Sequence, residues 1–356
     1  MKIRGTAVIG LVAVFAFLLT TTYAEEDKTS ENEKITEAKN SITELEVLEN
    51  VRFLADRNMA GRGTRDKGYE HPSLFIEREL REYGFAPLGD DLDPKDPLNC
   101  GQSRSYFQQF KIRGNMTSRN IVGFIEGEKA NEFIIIGAHY DHLGYGYDYN
   151  SNERSPEGKI HYGADDNASG TSAVLEIAEA YSVLAKSGIK PKRSIVIALW
   201  GAEELGLLGS EHFVEYLPIE ILKKNIVGCI NLDMVGRNRD SELYIIADPM
   251  GEGLEVVCPE LHEINWRINS QEEFRFNIRY SNDGFDASDQ FSFFGAMPPG
   301  DRIPVIFYFT GMHPDYHKTT DTWDKINYPK LTRIARLTFL VSWEIAELKV
   351  RPKYRD

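Results

Sequence analysis

The chain has 356 residues, 42% of them apolar and 27% charged, the proportions of an ordinary soluble globular protein rather than a disordered, fibrous or multi-span membrane chain. Its 41 basic and 55 acidic side chains leave a net charge of −14 at pH 7, which argues against a nucleic-acid partner because such binding rests on basic patches. Cys100, Cys229 and Cys258 lack CxxC spacing and are too few for a disulfide scaffold or a thiolate metal site. Cys229 and Cys258 fit either two buried thiols or one disulfide.

Residues 1–24 place Lys2 and Arg4 before an apolar stretch from Ala7 to Leu19, then end on Thr22-Tyr23-Ala24. That is the layout of a secretory signal peptide cleaved after Ala24, and the apolar stretch is short of the about 20 residues a membrane span needs. The expectation is a secreted or periplasmic protein with no membrane span after cleavage. Residues 25–47 are a polar N-terminal segment, and 25–40 are expected to fray. Ile42, Leu45, Leu48, Val51 and Leu54 then recur at helical spacing. Residues 72–83 read as a second amphipathic helix stopped by Gly84. Residues 85–106, rich in Pro, Asp and Gly, read as a surface loop.

From residue 120 short apolar runs suited to strands (120–126, 132–137, 194–200, 227–232, 243–247, 305–309) alternate with helical stretches at 168–186, 207–216 and 331–348. Strands interleaved with helices imply an α/β fold with a mostly parallel sheet and helices on both faces. One domain over 48–356 is expected, with 254–302 as a pocket-shaping insertion.

The chemistry-bearing residues follow the apolar runs. His139, Tyr140, Asp141 and His142 come after EFIIIGA; Asp165 and Asp166 lie in GADDNASG before a helix; Glu203 and Glu204 follow SIVIALWGA; Asp233 closes VGCINL; His313, Tyr316 and His317 follow VIFYFTG, with Asp321 beyond. Ligands of such sheets bind beyond the C-terminal strand ends, so five loops bring carboxylates and imidazoles to one edge. Nitrogen and oxygen donors without thiolate suit zinc, with manganese or cobalt as substitutes. The inventory also suffices for two metals sharing a carboxylate. Taken singly, Asp165 and Asp166 suit a helix cap, and Glu203 and Glu204 suit the first turn of a helix. Their order, each piece at a strand end, carries the inference.

The segments GAHYDHLG, GADDNASG, WGAEELGLLGS, NLDMVG and TGMHPDYHKTTDT closely resemble the co-catalytic two-zinc exopeptidases, a family that includes secreted bacterial leucine aminopeptidases and glutamate carboxypeptidase; the resemblance runs over 48–348. It implies a phosphorylase/hydrolase-like α/β domain and two zinc ions. His139 and Asp233 would hold one, Glu204 and His317 the other, and Asp166 would bridge them. Asp166 is preferred to Asp165 because the family's bridging acid lies four residues before the glycine, here Gly170. Asp141 would orient His139, Glu203 would be general base to a bridging water or hydroxide, and Tyr316 would polarise the scissile carbonyl. His142 and His313 are expected not to bind metal.

The activity implied is removal of N-terminal residues from peptides with a free amine. Alternatives are a carboxypeptidase or deacylase, a one-zinc glutaminyl-cyclase-like enzyme, and a receptor-like binding protein that has lost ligands. The complete ligand set argues against the last two. Three departures from the family stand out. The protease-associated insert of some relatives is missing, Ala287-Ser288-Asp289-Gln290 stands where the family usually has Ser-Asp-His, and 254–302 holds Arg267, Arg275, Arg279 and Arg302. Those arginines suit either a substrate carboxylate or a solvated surface.

Overall fold

The computed structural model describes residues 29–355 apart from 94, 97, 98, 100, 101, 148, 149, 219 and 220; the expected signal peptide and Cys100 lie outside the described residues. Its centre is built from β-branched runs buried on both faces, which is what a central parallel sheet requires. FIIIGA lies in β4 (Lys129–His139), SIVIALW in β5 (Arg193–Trp200), and β6 (Ile226–Leu232) and β9 (Val305–Phe309) continue the row. The order β5-β4-β6-β9 is parallel throughout. All four therefore end at the same edge.

The flanks are antiparallel. β3 (Thr117–Ile125) pairs with β5 and carries β1 (Ala86–Pro87) and β2 (Phe107–Lys111); β7 (Glu242–Ile246) pairs with β9 and, in parallel, with β8 (Asn277–Tyr280). The expected loop over 85–106 is thus partly ordered: Phe85, Leu88 and Tyr106 are buried, and the Tyr106 phenol donates to the Phe85 carbonyl at 2.6 Å.

Helices cover both faces. α2 (Glu44–Leu54), α4 (Gly170–Lys186), α7 (Pro259–Asn269) and α9 (Tyr328–Glu347) pack as one group, while α5 (Leu208–Glu215) and α8 (Gln290–Phe294) pack against β3, β6 and β9. Trp200 is the keystone of the second group, its ring 5.2 Å from Phe213 and 5.7 Å from Phe293. α3 (Glu70–Glu82) ends two residues before Gly84, whose φ of 80° suits glycine. α6 (Leu254–Val257) is a single turn before α7.

Residues 29–41 do not fray as expected but form a helix, α1. Polar composition misled because the segment buries one stripe, with Ile35, Ala38 and Ile42 against the core, and ties down its lysines. Lys39 pairs with Glu273, and Lys34 donates to the Ser187 carbonyl. Cys229 and Cys258 are both buried free thiols. No helix among the described residues is long and apolar enough to cross a membrane.

Candidate metal centre

Each expected ligand sits on a turn that its neighbours force. β4 ends on His139. Its Nδ1 donates to the Asp141 carbonyl at 3.2 Å, leaving Nε2 to face Asp233 Oδ1 at 3.3 Å and Asp166 Oδ1 at 3.4 Å. Asp166 precedes α4, whose first residue, Gly170, lies against the end of β6: a Cβ there would stand 2.2 Å from the Leu232 carbonyl oxygen. That close approach draws the Asp166 loop beside Asp233, the residue after β6. The Asp166–Asn167 peptide is cis.

The turn after β5 puts Ala202 at φ 58° and Leu207 at φ 59°, which presents Glu203 and Glu204 side by side. His317, at φ 55°, donates from Nδ1 to the Asn150 carbonyl at 2.6 Å and points Nε2 at Asp166 Oδ2 (3.0 Å) and Glu204 Oε2 (3.3 Å). The Asp166 carboxylate therefore lies between His139 and His317, one oxygen toward each. All five expected ligands and Glu203 converge on one pocket of about 350 Å³, which Tyr316 also lines.

Possible donors gather in two groups here, His139–Glu203–Asp233 and His142–Asp166–Glu204, the donor atoms of each group lying within 4.8 Å of one another. The first includes Glu203, expected to be a base. The second includes His142, expected to be a bystander: its Nδ1 lies 2.7 Å from Glu204 Oε1 and 3.8 Å from Asp166 Oδ2. His313 lies away from both groups, its Nε2 3.2 Å from Asp165 Oδ2. Asp165 is turned from the pocket, its other oxygen accepting the Gly236 N–H at 2.6 Å.

Asp141 differs in detail from its expected role. Its carboxylate is 3.9 Å from His139 Nδ1 and instead accepts the Glu203 N–H at 3.0 Å, so it ties the histidine loop to the glutamate turn.

The electrostatics call for a cation. Asp166, Glu203, Glu204 and Asp233 are packed together with little exposure, an arrangement that costs heavily unless compensated. Burial pushes the Glu203 carboxyl well above the usual range, with Asp289, Glu204 and Asp233 adding to the effect against His139. Burial, then Asp166, pushes Glu204 up to about 8. Against burial, Asp233 and Glu203 raise His139, and Glu204 and Asp166 raise His317 to about 9. His142 Nε2 is buried without a hydrogen-bond partner. This all-N/O donor set fits zinc. The Tyr316 ring stacks on His317 at 3.8 Å, and burial among these carboxylates keeps its phenol protonated.

Several further residues support the expected ligands. Asp321 accepts the N–H groups of both Asp165 (2.9 Å) and Asp166 (3.1 Å). Ser288 donates to Asp233 Oδ2 at 2.8 Å, and Asn150 to Glu204 Oε2 at 2.9 Å. Asp321 and Ser288 stand in segments the sequence singles out, but these contacts, and Asn150 altogether, emerge only from spatial adjacency.

The pocket walls are apolar at Leu207, Met234, Phe307, Phe309 and Met312, with Asp283 and Asp286 also lining it and no Lys or Arg among the lining residues. None of the arginines of 254–302 lines the pocket. Arg267 makes a two-pronged pair with Glu344, Arg279 bonds Glu242, and Arg302 lies over the Phe294 ring. Arg275 is exposed.

Comparison with known proteins places the site in context. The chain is 28% identical over 269 residues to the Arabidopsis thaliana "Probable glutamate carboxypeptidase AMP1", covering 71% of this chain and 35% of that one. The crystal structure of the Legionella pneumophila LapA aminopeptidase matches with a TM-score of 0.63 at 21% identity, over 89% of this chain and 75% of that chain, a likeness of fold. BSAP, a zinc aminopeptidase from Bacillus subtilis, matches with a TM-score of 0.51 at 26% identity, over 69% and 55%. The chain spans 14–35% of the length of the curated relatives it matches. The profile of peptidase family M28 matches residues 120–342, which hold all five histidines and carboxylates described as converging donors, and the chain belongs to that family.

Proposed function

We propose that this chain is a zinc-dependent exopeptidase that removes N-terminal residues from peptides. The observation that carries the reading is the lining of the pocket: carboxylates at its base, Asp283 and Asp286 beside apolar walls, and no Lys or Arg side chain. A free terminal amine is a cation and suits such a pocket. A terminal carboxylate suits an arginine or lysine partner, and none of the arginines of 254–302 lines the pocket, which disfavours the carboxypeptidase reading.

Two zinc ions are the proposed complement, His139 and Asp233 holding one, Glu204 and His317 the other, with Asp166 shared. Bound zinc would supply Lewis acidity, making water a nucleophile near neutral pH and stabilising charge on the scissile carbonyl. Glu203 takes the proton of the attacking water and returns it to the leaving amine. The protonated Tyr316 phenol donates to the carbonyl oxygen as charge develops there. Asp141 holds the Glu203 backbone and so steadies the base. We read 48–356 as one catalytic domain with 254–302 shaping the pocket. Export to the periplasm or medium rests on the pattern of residues 1–24.

The test follows hydrolysis of one peptide in three forms: free at both ends, blocked at the amine, and blocked at the carboxyl. The chain from Glu25 is used with zinc or with chelator. Chelator-sensitive cleavage that needs only the free amine is expected. A requirement for a free carboxyl would establish the carboxypeptidase instead, and no cleavage of any form by zinc-loaded protein would sink the enzymatic reading.

A further inference from the structure

The segment Gly61-Arg62-Gly63-Thr64 precedes the residues that match the family, yet it touches both loops that carry the metal centre. Arg62 is wholly buried. Its guanidinium donates only to backbone carbonyls in the hydrogen bonds it forms: Nε to Tyr140 at 2.8 Å, Nη1 to Leu54 at 2.8 Å and Tyr162 at 2.9 Å, Nη2 to Gly163 at 2.7 Å and Asp166 at 3.4 Å. Tyr140 lies between His139 and Asp141. Gly163 and Asp166 belong to the loop of the shared carboxylate. One planar fork thus joins the end of α2 to both loops, a task that needs several donors in fixed directions and that a lysine ammonium cannot copy.

The backbone around Arg62 reinforces the same junction. Its carbonyl accepts the His142 N–H at 3.3 Å, the Gly61 carbonyl accepts the Gly144 N–H at 3.0 Å, and Gly63 bridges His142 in parallel register. The approach is so close that a Cβ on Gly63 would stand 2.6 Å from Gly144 Cα. Thr64 Oγ1 lies 3.5 Å from Asp141 Oδ2. Arg62 itself sits at φ 51°, a left-handed conformation that a residue with a side chain keeps only where its surroundings hold it.

We infer that Arg62 is a positioning residue for the metal centre: it pins the His139 and Asp166 loops to each other and holds their side chains at metal-binding separation before metal arrives. The inference rests on the proposed metal centre, and the test separates the two. Arg62→Lys and Arg62→Met are compared with wild type by zinc affinity against a chromophoric chelator, by the visible spectrum of the cobalt(II)-substituted protein, and by kcat and KM. Both variants should lose about 10–100-fold in zinc affinity and shift the cobalt bands, with kcat falling more than KM rises. Wild-type zinc affinity and cobalt spectrum in both variants, even with a lower melting temperature, would overturn the inference while leaving the metal centre intact. Wild-type protein that binds no zinc would overturn the metal centre, and the inference with it.

Should the variants fail to fold, hydrogen exchange on metal-free wild type decides. The His142, Gly144, Asp165 and Asp166 amides, bonded to Arg62, Gly61 and Asp321, should be protected before zinc is added. Protection that appears only with zinc would show that the loops are ordered by the metal and not by Arg62.

Discussion

At the scale of single residues, neighbours in sequence have opposite surroundings. Asp165 turns to His313 and the Gly236 amide, whereas Asp166 faces His139 and His317. His142 holds Glu204 Oε1 while Glu204 Oε2 faces His317. His142 therefore orients a proposed ligand, and partners of that kind typically contribute about 10–100-fold to metal affinity. His142→Ala, at a residue the resemblance leaves outside the metal ligands, should weaken zinc retention by that amount. Glu203→Gln should instead keep its zinc and lose about 10²–10⁴-fold in turnover, the contribution of a general base. Elemental analysis beside kcat for the two variants separates the roles. Full activity of Glu203→Gln would remove it as the base.

At the scale of elements, the packing of α2 on α4 buries a carboxyl with no ion-pair partner among the contacts described. Glu176 on α4 is 1% exposed, and a carboxylate oxygen of it lies within 4.8 Å of those of Glu46 and Glu179. Burial, helped by both neighbours, pushes it up to about 9, against the Asn50 amide that donates to Oε1 at 2.9 Å. The unfolded chain releases this proton near pH 4.3, roughly the value of an unperturbed glutamate. The folded state thus holds more protons between these limits, so this contribution is complete below the unfolded value and is lost as pH rises toward 9. Glu176→Gln keeps an acceptor for Asn50 and offers its NH₂ to Glu46 and Glu179. It should exceed wild type in stability at pH 8 by about 1–3 kcal/mol, the gain vanishing near pH 4–5. Urea midpoints at the two pH values test this, and an equal loss at both would refute it.

At the scale of the whole molecule, the parallel strands β5, β4 and β6 end together and gather four carboxylates into one pocket in a chain already carrying −14. Bound metal should therefore stabilise the fold as well as the reaction. Linkage sets the size at about 4 kcal/mol for each site when free zinc exceeds its Kd a thousandfold. Chelation should accordingly lower Tm by roughly 10 °C, and zinc should restore it. Calorimetry that gave the same Tm with and without chelator would mean that the carboxylates are accommodated without metal.

Much of this was legible in the residues themselves. β-branched runs and helical periodicity are local properties, so the strands from 120 to 309 and the helices α4, α5 and α9 fall close to where periodicity puts them. The acids and histidines at the strand ends could be named because parallel strands must finish on one side. Other features depend on partners far along the chain. The partner that keeps Arg267 from the pocket, Glu344, lies 77 residues away, and Lys39, which anchors the polar helix α1, meets Glu273. Nor does periodicity speak to the left-handed turns at Arg62, Ala202 and His317, which decide where the adjoining side chains point. The types and order of the site residues are thus written in the chain. That His142 braces Glu204 and that an arginine ahead of the family match joins the two loops were decided only by tertiary structure, because close approach of distant backbone sets those directions.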